Sequence, residues 1–174
     1  MASATGPVTI ASLPPTVRLS VRGGEAAVSA MSHAVGIDFP REACRAVTEG
    51  SRAALWLGPD EWLLIAPDDA ADVLGGALEG ALGGEAASVV DVSERNVGIE
   101  VSGPKAAEVL NAFNALDLAE TAFPVGMCTR TLFGKAEIVL WRIAPDRFRI
   151  EVWRSFAHYL LGCLAEACRE YGTS

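Results

Sequence analysis

Apolar and polar residues alternate along two stretches of this chain that lie 80 positions apart. Val17, Leu19 and Val21 alternate with Arg18, Ser20 and Arg22; Val97, Ile99 and Val101 alternate with Gly98, Glu100 and Ser102. A period of two sends successive side chains to opposite faces, so each stretch predicts a half-buried strand. Each is followed by a glycine (Gly23, Gly103) and an alanine pair (Ala26-Ala27, Ala106-Ala107) that opens a helix. Val28, Met31 and Val35 share a face of the first helix, and Ala106, Leu110 and Phe113 share a face of the second.

The correspondence continues in order. Phe39-Pro40-x-x-x-Cys44 matches Phe123-Pro124-x-x-x-Cys128 at an offset of 84. Pro59-Asp60-x-Trp62 matches Pro145-Asp146-x-Phe148, and Leu74-x-Gly76-x-Leu78 matches Leu160-x-Gly162-x-Leu164, both at an offset of 86. The offset rises steadily, as it does when a second copy of a unit carries a few inserted loop residues, so the chain reads as an internal duplication. Each copy predicts strand, helix, three strands, helix. The last two strands fall at about 53–57 and 62–66 in the first copy, joined by a Gly58-Pro59-Asp60-Glu61 turn, and at about 137–143 and 147–153 in the second. Connections this short imply antiparallel hairpins. Helices follow at about 68–82 and 155–170, the latter with Phe156, Leu160, Cys163 and Ala167 as its buried stripe.

The fold class is therefore α+β, two pseudo-repeated antiparallel sheet-plus-helix halves. Residues 16–174 are expected to form one domain made of pseudo-repeats at about 16–86 and 96–172, joined by 87–95. Residues 1–15, rich in Ala, Ser, Thr and Pro with the first basic residue at Arg18, are expected to be a flexible tail without the charged leader of a secretory signal.

Composition narrows the function mainly by exclusion. The chain has 174 residues, 51% of them hydrophobic, which suffices for a sizeable core. A net charge of −8 argues against a nucleic-acid surface, which needs Lys and Arg against phosphates. No run approaches the roughly 18–20 apolar residues that span a bilayer. Cys44, Cys128, Cys163 and Cys168 include no C-x-x-C pair, and His33 and His158 are far apart in sequence. This spacing offers no metal site and is in keeping with reduced thiols in a cytoplasmic protein. Gly23-Gly24 and Gly83-Gly84 lack the G-x-G-x-x-G pattern of a dinucleotide loop.

No catalytic residue emerges. His33, late in the first helix, reads as a partly buried or capping residue, and His158 reads the same way beside Phe156 and Tyr159. The tryptophans Trp56, Trp62, Trp141 and Trp153 fall on predicted strands, where core packing is the default and an outward-facing one could anchor a partner. The polar cluster Asp91-Val92-Ser93-Glu94-Arg95-Asn96 could line a site, or could be a solvated turn whose Asp and Ser cap backbone groups.

Asp91-Val92-Ser93 followed by Val97-Gly98-Ile99-Glu100-Val101-Ser102-Gly103-Pro104-x-Ala106 resembles the opening of the glycine-cleavage T protein, an aminomethyltransferase. A closer resemblance runs through both halves. Trp56-Leu57-Gly58-Pro59-Asp60-Glu61-Trp62-Leu63-Leu64, Asp91-Val92-Ser93-x-Arg95, Phe123-Pro124-x-Gly126 and Arg147-Phe148-x-Ile150-x-Val152-x-Arg154-Ser155-Phe156 are similar to the gamma subunit of heterotetrameric sarcosine oxidase. The resemblance implies a folate-binding-type fold in an accessory subunit with alpha, beta and delta partners. It places FAD, FMN, NAD, zinc and tetrahydrofolate on those other subunits, and no cofactor or metal on this chain. The implied complex demethylates sarcosine oxidatively to glycine and passes the one-carbon unit to tetrahydrofolate. A stand-alone folate-binding regulator or an aminomethyltransferase-like enzyme is the alternative. Where the aminomethyltransferases keep an acidic pair after a Gly-Gly turn, this chain has Phe133-Gly134-Lys135-Ala136-Glu137, with only one carboxylate. Asp91, Arg95 and Glu137 are the candidates for a retained folate contact.

Overall fold

A computed structural model describes residues 7–67 and 69–171. The elements run β1 (Thr9–Ser12), β2 (Val17–Gly23), α1 (Glu25–Val35), β3 (Ala46–Glu49), β4 (Arg52–Gly58), β5 (Glu61–Ala66), α2 (Ala71–Gly80), β6 (Ala87–Asp91) and β7 (Asn96–Ser102). They continue with α3 (Ala106–Asn111), β8 (Cys128–Phe133), β9 (Ala136–Ala144), β10 (Arg147–Trp153) and α4 (Arg154–Cys168), which ends in a 3₁₀ turn, Arg169–Tyr171. Asp68, where the helix before β6 was expected to begin, lies outside the described residues, and α2 starts at Ala71.

Two compact units result: residues 15–95, and residues 96–174 together with 1–14. The first holds an antiparallel sheet of order β3-β4-β5-β2-β6 and the second one of order β1-β7-β10-β9-β8. Read from the opposite edge, the second order is β8-β9-β10-β7-β1, the repeat of the first. β2 and β7, β3 and β8, β4 and β9, and β5 and β10 are sequence counterparts, so the duplication is visible strand by strand.

The fifth strand differs in origin. In the first unit it is β6, which follows α2 and lies within the stretch 87–95 expected to be a joint. In the second it is β1, inside the stretch 1–15 expected to be a flexible tail. Thr9 to Ser12 pair with Ser102 to Ile99, Leu13 N–H donates to Gly98 C=O at 2.9 Å, and Lys105 N–H to Pro7 C=O at 3.1 Å. For these residues the tail expectation is corrected: an edge strand supplies the backbone partners that β7 would otherwise lack on that side.

Helices cover one face of each sheet. Leu19, Val21, Trp62 and Leu64 pack with Val28 and Met31 of α1 and Leu74 and Leu78 of α2. Ile99, Val101, Ile138, Leu140, Phe148 and Ile150 pack with Leu160 and Leu164 of α4. The repeated Leu-x-Gly-x-Leu motif thus places two leucines one helical turn apart on the buried face. The other face of each sheet is also buried, through Leu55, Leu63 and Ile65 in one unit and Cys128, Val139 and Trp141 in the other. This explains why β4, β5 and the centre of β9 carry continuous apolar runs, whereas β10 alternates and pairs Arg149 with Glu151 on the face away from α4.

Double burial of the sheet corrects one sequence expectation, and the exposure of helix residues corrects others. Arg18, on the polar side of a strand expected to be half-buried, is buried, and its guanidinium donates to Thr16 C=O at 3.0 Å. His33 is exposed, not packed. On α4 the buried stripe is Leu160, Leu164, Ala167 and Cys168, whereas Phe156 is 38% exposed and Cys163 half-buried.

Candidate functional site

The segment Asp91-Val92-Ser93 closes the first unit's sheet. Asp91 ends β6, and its Oδ1 accepts the Ser93 backbone N–H at 2.9 Å and the Ser93 hydroxyl at 2.5 Å. The Ser93 hydroxyl in turn accepts the backbone N–H of Arg18 at 2.9 Å. Val92 between them is buried, and its N–H donates to Arg18 C=O, also at 2.9 Å. Hydrogen bonds from the Ser93 hydroxyl and backbone N–H hold the Asp91 carboxyl below its ordinary pKa. The motif is a lock that fastens the end of β6 to β2, which is the backbone-capping alternative of the two read from the sequence.

Arg95 lies in the same unit, exposed, and its N–H donates to Val92 C=O at 3.1 Å. Glu137 belongs to the other unit. It sits on β9, an interior strand, opposite Leu132 of the edge strand β8, and its exposed carboxylate pairs with Arg130 Nε at 3.7 Å. Neither unit by itself gathers the three folate candidates into one constellation.

Other polar groups are engaged within the chain. Arg41 Nε contacts both carboxylate oxygens of Glu25, at 3.0 and 2.9 Å, beside a polar depression that Ser32, His33 and Asp38 also line. Arg52 grips Asp69 through two hydrogen bonds of 2.7 and 2.6 Å and also donates to Val35 C=O. The hydrogen bonds to Arg52 lower the Asp69 pKa. His158 is exposed on α4. All four cysteines are free thiols. Among the described residues no group of three His, Cys, Asp or Glu side chains is placed to hold a metal ion. No helix among them is long and apolar enough to cross a membrane.

Three features escaped the sequence reading. Arg142 is buried, donating to the carbonyls of Leu118, Phe123 and Pro145 and lying 5.0 Å from the centroid of the Phe148 ring. A lone cation inside the apolar run Ile138 to Ile143 was the signal available for it. The second is the Arg52 clasp, whose partners come from separate elements. The third is an exposed aromatic row, Trp153, Phe156 and Tyr159, at 46%, 38% and 37%.

The architecture defines the class first. It is similar to the glycine-cleavage-system aminomethyltransferase T of Bartonella henselae, with a TM-score of 0.70 and 18% identity over 91% of this chain and 45% of that one. That likeness is one of fold. Residues 22–170 match the sarcosine oxidase, gamma subunit family, and the chain belongs to that family. It is 33% identical to the sarcosine oxidase subunit gamma of Corynebacterium sp. (strain P-1), over 98% of this chain and 85% of the relative. The Arthrobacter sp. subunit gamma is 32% identical over the same shares. A chain of the heterotetrameric sarcosine oxidase from Corynebacterium sp. U-96, solved with pyrrole 2-carboxylate, superposes with a TM-score of 0.89 and 31% identity, over 96% of this chain and 86% of that one.

Proposed function

We propose that this chain is the gamma subunit of a heterotetrameric sarcosine oxidase and that its own role is assembly rather than catalysis. The observation that carries the reading is the family match over residues 22–170, together with near-complete superposition on a chain of such an oxidase. The residues singled out for chemistry agree with it. Asp91 accepts from the Ser93 N–H and hydroxyl, the Ser93 hydroxyl accepts the backbone N–H of Arg18 on β2, and Glu137 pairs with Arg130. In this reading the partners are the alpha, beta and delta subunits in the cytoplasm, and they carry FAD, FMN, NAD, zinc and tetrahydrofolate. The complex oxidises sarcosine to glycine and hands the one-carbon unit to tetrahydrofolate. No catalytic, cofactor or metal residue is assigned to this chain.

The test is gentle affinity purification of the tagged chain from its source cells, with identification of co-purifying chains, a flavin spectrum and an assay of sarcosine-dependent peroxide. A yellow, active complex with three other chains is the expected result. A colourless chain recovered alone that binds tetrahydrofolate saturably would overturn it in favour of a stand-alone folate protein. Alanine at Asp91, Arg95 and Glu137 then decides whether those positions hold the ligand.

A further inference from the structure

Strand β1 completes the second unit's sheet, yet the chain that follows it leaves that unit at once. After Leu13 the backbone runs through Pro14 and Pro15 into β2, which belongs to the first unit. Neither proline has an N–H to donate, so the β1 ladder stops there. An opening that begins at β1 therefore draws no other strand of its own unit with it.

The two sides of β7 are held very differently. On the β10 side seven residues pair, and Phe148, Ile150 and Val152 of β10 are fully buried. On the β1 side the hold is mostly backbone. Leu13 N–H donates to Gly98 C=O, and antiparallel pairs alternate, so Leu13, Ala11 and Thr9 exchange bonds with Gly98, Glu100 and Ser102. At the far end Lys105 N–H donates to Pro7 C=O. Only Val8 and Ile10 reach the core, whereas Thr9, Ala11 and Ser12 are exposed. In the first unit α2 packs against the corresponding strand, β6. Here a groove of about 550 Å³ lies between Val8 and Ile10 and the small residues Gly162, Ala165 and Cys168 of α4. A Cβ added to Gly162 would meet nothing within 4 Å.

We infer that residues 7–13 are a releasable strap, which leaves β7 as one body while the rest of the second unit stays folded. Backbone bonds at both ends make the release concerted along the strap. The groove means that few side-chain contacts break when it lifts. Closed, the strap shields the donors and acceptors of Gly98, Glu100 and Ser102 from pairing with another chain; open, it bares that edge for strand addition.

The experiment is amide hydrogen exchange of the intact chain, followed by NMR from zero to subdenaturing urea. β7 supplies its own reference, because Gly98, Glu100 and Ser102 donate toward β1 and Val97, Ile99 and Val101 toward β10. The β1-facing amides, with Thr9, Ala11 and Leu13, are expected to share one protection factor at least about a hundredfold below that of the β10-facing set. Their exchange should respond little to urea, whereas that of Val97, Ile99 and Val101 should rise steeply, since only the latter requires large exposure of surface. One protection factor and one urea slope for both sets would overturn the strap, because β1 would then open only with its whole unit. Protection falling off gradually from Leu13 to Thr9 would overturn it too, as end fraying rather than release. Ala11→Pro removes the donor to Glu100 and is expected to speed exchange at Gly98 and Ser102 about tenfold or more. Unchanged exchange at those two positions would count against the inference.

Discussion

Arg142 shows what a single buried charge does for this chain. Its guanidinium joins carbonyls from the connection between α3 and β8 to the turn after β9, so it substitutes for secondary structure in holding that connection. Truncation to alanine leaves those carbonyls without their donor and opens a void beside Phe148, at a cost of about 3 kcal/mol. For a chain of this length that is a fall of roughly 6–12 °C in Tm, measurable by calorimetry. Asp69 makes a gentler, pH-dependent contribution. Its pKa is lowered from 3.8 by the hydrogen bonds to Arg52, so the stability it supplies is complete above the unfolded value. That stability is lost as pH falls through the lower folded value. The pair is partly exposed and solvent-screened, so Asp69→Asn is expected to cost about 1 kcal/mol at pH 7. The gap between variant and wild-type Tm should stay level down to about pH 5 and close below about pH 4; a gap that persists at pH 2 would contradict the assignment.

Among the elements, β1 carries the most consequence for its size. Val8 is buried and Ile10 packs against the core of the second unit, and four residues of β7 take their outer pairing from β1. Gly103 is the seat of this arrangement. Its φ of +121° suits glycine, and a Cβ there would lie 2.6 Å from the Pro7 carbonyl oxygen. Deleting residues 1–13 is expected to cost about 2 kcal/mol or more and to speed amide exchange along the β1-facing side of β7. Gly103→Ala should cost more in the full chain than in the truncated one, because only the full chain has the Pro7 carbonyl to displace. Additive effects in a double-mutant cycle would show that β1 does not bear on Gly103.

For the whole molecule, the proposed assembly role and the folate-binding alternative predict different behaviour of the isolated chain. In the assembly reading Asp91 and Ser93 serve to fasten β6 to β2, with Asp91 Oδ1 accepting from Ser93 and the Ser93 hydroxyl accepting the Arg18 N–H. Calorimetric titration of the isolated chain with tetrahydrofolate is accordingly expected to show no saturable heat, and Ser93→Ala to lower Tm by roughly 2–4 °C through loss of the β6–β2 lock. Saturable binding abolished by Asp91→Ala would instead make the lock a ligand site.

Much of this was legible in the chain itself. Strand alternation, the Pro-Asp turns and the i, i+4 leucines are local signals, and their recurrence in order exposed the duplication and with it the α+β class. The hydrogen bonds within Asp91-Val92-Ser93 are local as well, so a backbone cap could be read there, and the motifs that carried the family resemblance were visible as plain strings. What the tertiary structure decided depends on residues far apart. Ser93 finds its acceptor role with Arg18, 75 positions away. Arg18 is buried and Phe156 is exposed because burial follows from what covers each face, which periodicity along one segment does not specify. The fifth strand makes the same point: β6 is taken from the next stretch of chain and β1 from a distant one, since strands pair through backbone N–H and C=O groups that are indifferent to where in the sequence the partner lies.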